Sequence, residues 1–175
     1  GSGDLALLLA RQVGPTGHVV GTDFAPQQLS IAAQRSPHLQ ARLRWVEADA
    51  LNLPFEDSHF EAATMAYGLR NLTDISKGLS ELCRVLQPGA TAAILDFHTP
   101  SNPLVTQFQQ WYLDTIVVPT AERLALSEEY AYIGPSVERF PLGPEQVELA
   151  KAAGFACATH YPIAGGMMGM LVATR

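Results

Sequence analysis

Two acidic residues and a glycine-rich segment have the spacing of a nucleotide-binding site. The G-x-G segment Gly1-Ser2-Gly3 runs directly into an apolar helix pattern, and Asp23 follows about 20 residues later, at the end of a short strand pattern. Glycines let backbone N–H groups approach a ligand, and an acidic residue at this distance binds ribose hydroxyls. Asp49-Ala50, after the next strand pattern, suits an adenine amine. The residues that this spacing predicts to bind a cofactor are therefore Gly1, Gly3, Asp23, Asp49 and Ala50.

Gly1-Ser2-Gly3 also has the composition of a cloning scar, which would carry no structural information. We favour the loop interpretation because a scar would not place an aspartate at the required distance downstream. This interpretation has a consequence for the sheet. A hydrophobic strand should precede such a loop, so we expect the first strand of the sheet to be missing from this sequence.

A second candidate site follows the strand pattern that begins at Phe60. That pattern breaks at Gly68, and Arg70-Asn71 comes before a helix predicted to start near Thr73 or Asp74. In an open α/β sheet, ligands bind at the carboxyl ends of the strands. A lone arginine is more often surface decoration, but an Arg-Asn pair after a glycine that allows a turn is a better site candidate.

The elements that position these residues alternate between strand and helix patterns with short turns. Two strand patterns end at Asp23 and at Glu47, and a third begins at Phe60. An amphipathic helix pattern follows, which Pro88-Gly89 is expected to end, and a further strand is predicted over residues 90–97. Two further strands joined through Gly165-Gly166 are expected to form an antiparallel hairpin. This order predicts an α/β fold with a mostly parallel, doubly wound sheet. We expect a single domain over residues 1–175, with a helical insertion at about 101–142.

The insertion includes a helix pattern over residues 104–118. Leu104, Phe108, Trp111 and Thr115 share one face, with Tyr112 and Ile116 beside it. An aromatic stripe usually packs on a core. Because this helix is inserted between strands near the ligand edge, an acceptor-binding lid is an equal alternative.

Composition excludes several classes of function. The net charge is −6, with two lysines and no basic run, which argues against nucleic acid as a main partner. Cys83 and Cys157 lack metal-ligand spacing, so we expect no metal site and interpret both as reduced core thiols of a cytoplasmic protein. No apolar run is long enough to span a bilayer.

Three segments, residues 67–74 (YGLRNLTD), 84–89 (RVLQPG) and 165–175, closely resemble the quinone-biosynthesis C-methyltransferases, the UbiE/MenG family. The resemblance extends over essentially all 175 residues. The ending GGMMGMLVATR and the segment Asp96-Phe97-His98, which replaces the family's Glu-x-Ser, are most similar to the phylloquinone branch of cyanobacteria and plastids. The resemblance implies a class I, Rossmann-like fold that binds S-adenosylmethionine through the predicted cofactor residues, and it adds Ser2 to them.

The resemblance also implies a reaction, the transfer of a methyl group to a ring carbon of a prenylated naphthoquinol. Such a carbon becomes nucleophilic when an adjacent hydroxyl loses its proton, so the site must orient the ring, take the proton and stabilise the phenolate. We assign Arg70 to the developing oxyanion, Asn71 to orientation and His98 to the proton, as base or relay. His98 is also interpretable as a strand-end histidine bonded to backbone.

Alternatives remain from the residues themselves. The G-x-G and aspartate pattern is shared with NAD-dependent oxidoreductases, and a non-catalytic nucleotide-binding domain would keep the same fold. Within the resemblance, demethylmenaquinol and polyprenyl-benzoquinol are alternative acceptors to demethylphylloquinol. Because the acceptor's tail dissolves in lipid, we expect peripheral contact with a membrane, such as the thylakoid membrane.

Overall fold

The computed structural model describes residues 1–36, 42–100, 105–107, 111, 115 and 133–175. Within them the chain forms two compact units, Gly1–Phe55 and Glu56–Arg175. Each unit has its own buried hydrophobic cluster. The assignment of all 175 residues to one domain stays a prediction.

The first unit is built from two helix-then-strand pairs. Its elements are α1 (Asp4–Gln12), β1 (Val19–Asp23), α2 (Pro26–Gln34) and β2 (Leu43–Glu47). The strands pair in parallel, with Asp23 opposite Glu47. The predicted parallel order therefore holds here, and the carboxyl ends of both strands lie at one edge. Ala10, Val19 and Leu43 form the buried core beneath them.

The second unit contains a four-stranded sheet in the order β3-β4-β6-β5. Its elements are β3 (Phe60–Ala66), a 3₁₀ turn (Leu69–Asn71), α3 (Ile75–Val85), β4 (Leu86–Phe97), α4 (Ile133–Glu138), α5 (Gly143–Ala152), β5 (Cys157–Ile163), a 3₁₀ turn (Ala164–Gly166) and β6 (Met168–Thr174). β3 and β4 are parallel, whereas β6 is antiparallel to both β4 and β5. The expected closing hairpin is confirmed.

Alternation along β4 fixes which face of this sheet is buried. Ala92, Ile94 and Asp96 are buried, and the residues between them are partly exposed. The apolar members of this face pack with side chains of α3, α5 and β6, among them Leu79, Leu82, Ala150 and Leu171. Asp96 ends this row, so the strand delivers a carboxylate to the buried edge of the core.

Pro88-Gly89 does not separate helix from strand as predicted. α3 ends at Val85 and β4 begins directly at Leu86, so both residues lie inside the strand. They form an irregularity there: Phe60 pairs with Leu86, but Ala62 pairs with Thr91. Proline, which lacks an N–H, and Gly89, at φ +83°, are suited to a bulge where pairing with the neighbouring strand is interrupted.

Two further expectations concern the burial of the cysteines and the helix expected in the insertion. Cys83 is buried, but Cys157 is exposed at the start of β5, the edge strand of its sheet, so its assignment to the core was wrong. Most of the helix expected over residues 104–118 lies outside the described residues; Trp111, which is described, is exposed. No helix among the described residues has the length and apolar character needed to cross a membrane.

Candidate active site

The glycine loop forms the N-terminus of α1, and Gly3 adopts a conformation that suits glycine. Its φ is +92°, and a Cβ at this position would lie 2.7 Å from the Trp45 ring and 2.9 Å from the Ala32 methyl. A Cβ at Gly1 would meet nothing within 4 Å. The loop therefore packs on the first unit through Gly3 and is open at Gly1.

Arg35, at the end of α2, braces this loop from the side. It donates to the Ser2 carbonyl at 2.8 Å and pairs with Asp4 at 2.5 Å. The Ser2 hydroxyl donates to the same Asp4 carboxylate at 3.0 Å. The hydrogen bond from Arg35, followed by that from Ser2, lowers the pKa of Asp4. The Ser2 carbonyl and hydroxyl are both engaged within the loop, so its backbone N–H is the group better placed to bind a ligand.

As predicted, Asp23 is the last residue of β1, and Asp49 follows the neighbouring parallel strand β2. The Asp23 carboxylate contacts the Gly1 nitrogen through Oδ2 and accepts from the Ala25 N–H at 2.8 Å through Oδ1. The Ala48 N–H donates to the Asp23 carbonyl at 3.1 Å, which ties the segment before Asp49 to the end of β1. The structure therefore brings the glycine loop, Asp23 and the Asp49-Ala50 segment to one edge of the first unit.

Asp49 is exposed, and one of its two carboxylate oxygens accepts a hydrogen bond. Its Oδ1 accepts from the Leu51 N–H at 2.9 Å, an arrangement that closes the turn after β2. Within the described part of the chain its Oδ2 accepts no hydrogen bond. A donor such as an amine or hydroxyl of a ligand can therefore bind that oxygen without breaking the turn.

In the second unit, the backbone turns at Tyr67 rather than at Gly68. Tyr67 has φ +58°, a left-handed conformation that is uncommon for a bulky residue, whereas Gly68 has φ −110°. The Tyr67 N–H donates to the Leu95 carbonyl at 2.8 Å. Its own carbonyl accepts from Arg70 Nη1 and from Asn71 Nδ2, both at 3.0 Å. The predicted turn-making role of Gly68 was therefore wrong, because these bonds stabilise the turn one residue earlier.

Arg70 is held almost completely inside the second unit. Its side chain is 7% exposed and pairs at 2.6 Å with Asp96, which is 3% exposed. Arg70 Nε also donates to the Ser136 hydroxyl at 3.3 Å, and the guanidinium lies 5.2 Å from the centre of the Phe97 ring. An arginine fixed on several sides has one orientation, which favours precise placement over flexible surface contact.

His98 follows β4 and packs against a second histidine. Its Nδ1 lies 3.0 Å from the Thr99 carbonyl, which can only accept, so the neutral ring carries its proton on Nδ1. The His98 and His160 rings have centroids 4.7 Å apart. His160 Nε2 is buried without a hydrogen-bond partner among the described residues. Burial, followed by the proximity of His98, lowers the pKa of His160.

The sequence analysis missed Asp96, Ser136 and His160 as neighbours of the predicted residues. Asp96 carried a signal, since it ends a buried strand pattern beside His98. Ser136 is 66 residues from Arg70, and no local pattern joins the two. Arg70 and Asn71 are brought together at the Tyr67 carbonyl, whereas His98 lies against His160.

Comparison with known proteins assigns a family to this arrangement. The model of the ubiE/COQ5 methyltransferase family matches residues 1–175, the whole chain. This chain belongs to that family. The expected class, an S-adenosylmethionine-dependent methyltransferase, is confirmed, and the NAD-dependent oxidoreductase alternative is set aside.

Similar proteins from cyanobacteria and from one plant carry closely similar functional names. The methyltransferase is 62% identical to the 2-phytyl-1,4-naphtoquinone methyltransferase of Nostoc punctiforme, over 100% of this chain and 77% of that protein. It is 47% identical to the chloroplastic 2-phytyl-1,4-beta-naphthoquinone methyltransferase of Arabidopsis thaliana, over 100% of this chain and 69% of that one. The resemblance to the phylloquinone branch is thereby confirmed.

The fold also matches solved structures. A SAM-dependent methyltransferase from Aquifex aeolicus aligns with a TM-score of 0.71 at 20% identity, over 99% of this chain and 77% of that chain. At that identity the match shows the fold alone, and it confirms the predicted class I, Rossmann-like α/β class.

The residues predicted to bind the cofactor present hydrogen-bond acceptors that suit S-adenosylmethionine. Two carboxylates lie at the carboxyl ends of adjacent parallel strands, Asp23 within reach of the glycine loop and Asp49 with one oxygen available. Carboxylates at these positions suit ribose hydroxyls and an amine. When bound, the cofactor supplies an electrophilic methyl group.

Proposed function

We propose that this methyltransferase methylates a ring carbon of a prenylated naphthoquinol and forms phylloquinol from demethylphylloquinol. The observation that carries the proposal is the 62% identity, over the whole chain, to a relative named for a phytyl-naphthoquinone. Demethylmenaquinol and polyprenyl-benzoquinols are the alternative acceptors. They differ from demethylphylloquinol in the tail or in the ring system, while the chemistry at the reacting carbon is the same.

Binding of the cofactor falls to the first unit. Asp23 accepts hydrogen bonds from the ribose hydroxyls, and Asp49 accepts one from the adenine amine through its available oxygen. Gly1, Ser2, Gly3 and Ala50 contribute backbone groups and space. None of these residues has to move a proton, so their substitution should alter cofactor affinity first.

Activation of the acceptor falls to Arg70, Asn71 and His98. Loss of a hydroxyl proton places negative charge on an oxygen of the ring, and Arg70 stabilises that oxygen as the charge develops. Asn71 acts through the Tyr67 carbonyl, which it shares with Arg70, and so fixes the orientation of the turn. The packing of His98 against His160 favours a relay role for its Nε2 over direct contact with the acceptor.

The tail of the acceptor implies contact with lipid. An acceptor that dissolves in a bilayer has to be reached at the membrane surface, and we propose peripheral association, as at a thylakoid membrane. The aromatic face of residues 104–118 stays the predicted contact for the tail. Substituting Phe108 and Trp111 together by alanine should raise the KM for prenylated acceptors and leave cofactor affinity unchanged.

The test is methyl transfer from radiolabelled S-adenosylmethionine by the full-length protein. The acceptors are chemically reduced demethylphylloquinol, demethylmenaquinol, a prenylated benzoquinol and a tail-free phenol. We expect the highest kcat/KM with demethylphylloquinol. Methylation of the tail-free phenol alone would show that the quinol assignment is wrong, and higher kcat/KM with the benzoquinol would reassign the acceptor. Absence of turnover with every acceptor, despite cofactor binding, would favour the non-catalytic alternative.

A further inference from the structure

The Asp96 carboxylate is buried next to Arg70 and has no role in the chemistry described so far. Its Oδ1 accepts from Arg70 Nη1 at 2.6 Å and from the Phe97 N–H at 2.8 Å, and its Oδ2 accepts from the Arg70 backbone N–H at 3.1 Å. A carboxylate that binds both the side chain and the backbone of one residue restricts that residue strongly.

The donors of Arg70 are divided unevenly. Nε donates to Ser136, and Nη1 donates to Asp96 and to the Tyr67 carbonyl. Nη2 donates to no residue in the described part of the chain. The ion pair with Asp96 therefore uses a single nitrogen, although a bidentate pair is common for arginine and carboxylate. The N–H groups on Nη2 are therefore the donors of this guanidinium that an incoming oxygen can use.

We propose that Asp96 is a positioning residue that presents Arg70 Nη2 to the acceptor's hydroxyl oxygen. This inference rests on the proposed function and goes beyond it by assigning the orientation of Arg70. Phe97 supports the same geometry, since the guanidinium lies 5.2 Å from its ring centre, and Ser136 fixes the opposite side through Nε. Together these contacts leave the N–H groups of Nη2 for substrate.

Besides orienting Arg70, Asp96 compensates its positive charge. Without Asp96, a buried guanidinium would attract any anion in the ground state. Beside a carboxylate, its net attraction for a neutral quinol is small and grows only as the phenolate forms. Interactions that strengthen in the transition state raise kcat, whereas interactions of equal strength in the ground state do not.

The first test is a double-mutant cycle in the full-length protein. D96N keeps an oxygen acceptor but removes the charge, D96E keeps the charge with a longer arm, and R70A removes the partner. Activity is expressed per site that binds S-adenosylhomocysteine, so that unfolded protein does not count. We expect D96N to lower kcat about tenfold with the cofactor KM unchanged, and D96E to recover part of the loss. In the R70A background D96N should cost nothing further.

The second test measures binding and needs no turnover. The probes are 1-hydroxy-2-naphthoate, which is anionic, and 1-naphthol, which is neutral, both titrated by calorimetry with S-adenosylhomocysteine present. D96N leaves the charge of Arg70 uncompensated, so it should bind the anionic probe about tenfold more tightly than wild type and the neutral probe equally. The double variant R70A/D96N should lose this gain.

Each test has a possible outcome that would contradict the proposal. Equal costs of D96N with and without Arg70, or unchanged binding of the anionic probe, would show that Asp96 acts only on the fold. Failure of the wild-type protein to methylate any quinol would instead reject the proposed function. The calorimetric comparison would still decide the role of Asp96.

Discussion

Tyr67 has a strained, left-handed backbone conformation at the candidate site, with φ +58°. A non-glycine residue in a left-handed conformation costs about 1–3 kcal/mol, and it persists only where its surroundings determine it. Here three hydrogen bonds do so, one from its N–H and two to its carbonyl. Its ring is exposed and lies 4.8 Å from that of Phe97 between centroids, and the Arg70 guanidinium lies over the same Phe97 ring. Arg70 and Asn71 thus shape the turn as well as offering polar groups.

We expect R70A to lower kcat about 10²- to 10³-fold, the scale of removing one oxyanion donor, while cofactor affinity changes less than about twofold. R70K should recover little of this, because an ammonium cannot serve Ser136, Asp96 and Tyr67 in fixed directions. Steady-state kinetics and calorimetry with S-adenosylhomocysteine give the two quantities. The matched control is R139A, which removes an exposed arginine bonded to the Pro135 carbonyl. A loss of cofactor affinity equal to the loss of kcat would contradict the assignment.

Asp23 makes two contributions that a single substitution would remove together: its negative charge, and the hydrogen bond that its Oδ1 accepts from the Ala25 N–H in the turn after β1. D23A should weaken cofactor binding by about 1.5–3 kcal/mol, the scale of hydrogen bonds to a charged group. D23N keeps an oxygen acceptor for the Ala25 N–H, so it preserves the turn after β1 and loses mainly the charge. We expect D23N to lie between wild type and D23A in calorimetry. Unchanged affinity in folded D23A would remove Asp23 from the cofactor site.

At the scale of elements, two glycines make room for one histidine. A Cβ at Gly143, at the start of α5, or at Gly169, in β6, would overlap the His160 ring. β5 places that ring beside β6, where His160 pairs with Leu171. The antiparallel hairpin and α5 therefore pack around an imidazole, which in turn stacks on His98 at the end of β4.

This packing predicts a pH dependence of stability. The pKa of His160 in the folded protein is below its ordinary value of 6.5, so the folded state binds fewer protons than the unfolded state as pH falls past that value. The free energy of unfolding should therefore decrease as pH falls from neutral through about 6.5 and below. H160Q should show a smaller decrease in urea denaturation followed across pH. The control is H18Q, which removes an exposed histidine. An identical pH slope in H160Q and wild type would contradict the prediction.

At the scale of the whole molecule, net charge bears on the proposed contact with a membrane. The sequence carries a net charge of −6, and long-range electrostatics therefore oppose approach to an anionic surface. If the acceptor is reached from the membrane surface, apolar contact rather than charge attraction has to supply the affinity.

We accordingly expect turnover of a vesicle-embedded quinol to fall as the fraction of anionic lipid rises, and added salt to reverse the fall by screening. The measurement is radiolabelled methyl transfer by the full-length protein to demethylphylloquinol in vesicles of neutral or mixed lipids. A tail-free acceptor in the same vesicles controls for direct effects of lipid and salt on the enzyme. Faster turnover on anionic vesicles would show that a basic surface directs the contact.

The sequence by itself determined the order of the elements and the class of the protein. Periodicity predicts local backbone structure, so the strands ending near Asp23 and Glu47 and the closing hairpin were predictable from neighbours along the chain. The segment 67–74 identified the family because several specific residues occur together. Asp23 and Asp49 came to one edge because parallel strands align their carboxyl ends.

Only the tertiary structure decided which atoms of the second unit meet. Arg70 pairs with Asp96 26 residues away and with Ser136 66 residues away, and neither spacing has a local signature. The parallel register that brings Tyr67 to Leu95 sets the first contact, and the placement of α4 sets the second. The left-handed turn lies at Tyr67 and not at Gly68 for the same reason. Hydrogen bonds of the Tyr67 backbone to Leu95 and to the side chains of Arg70 and Asn71 outweigh the local preference of glycine for such a turn.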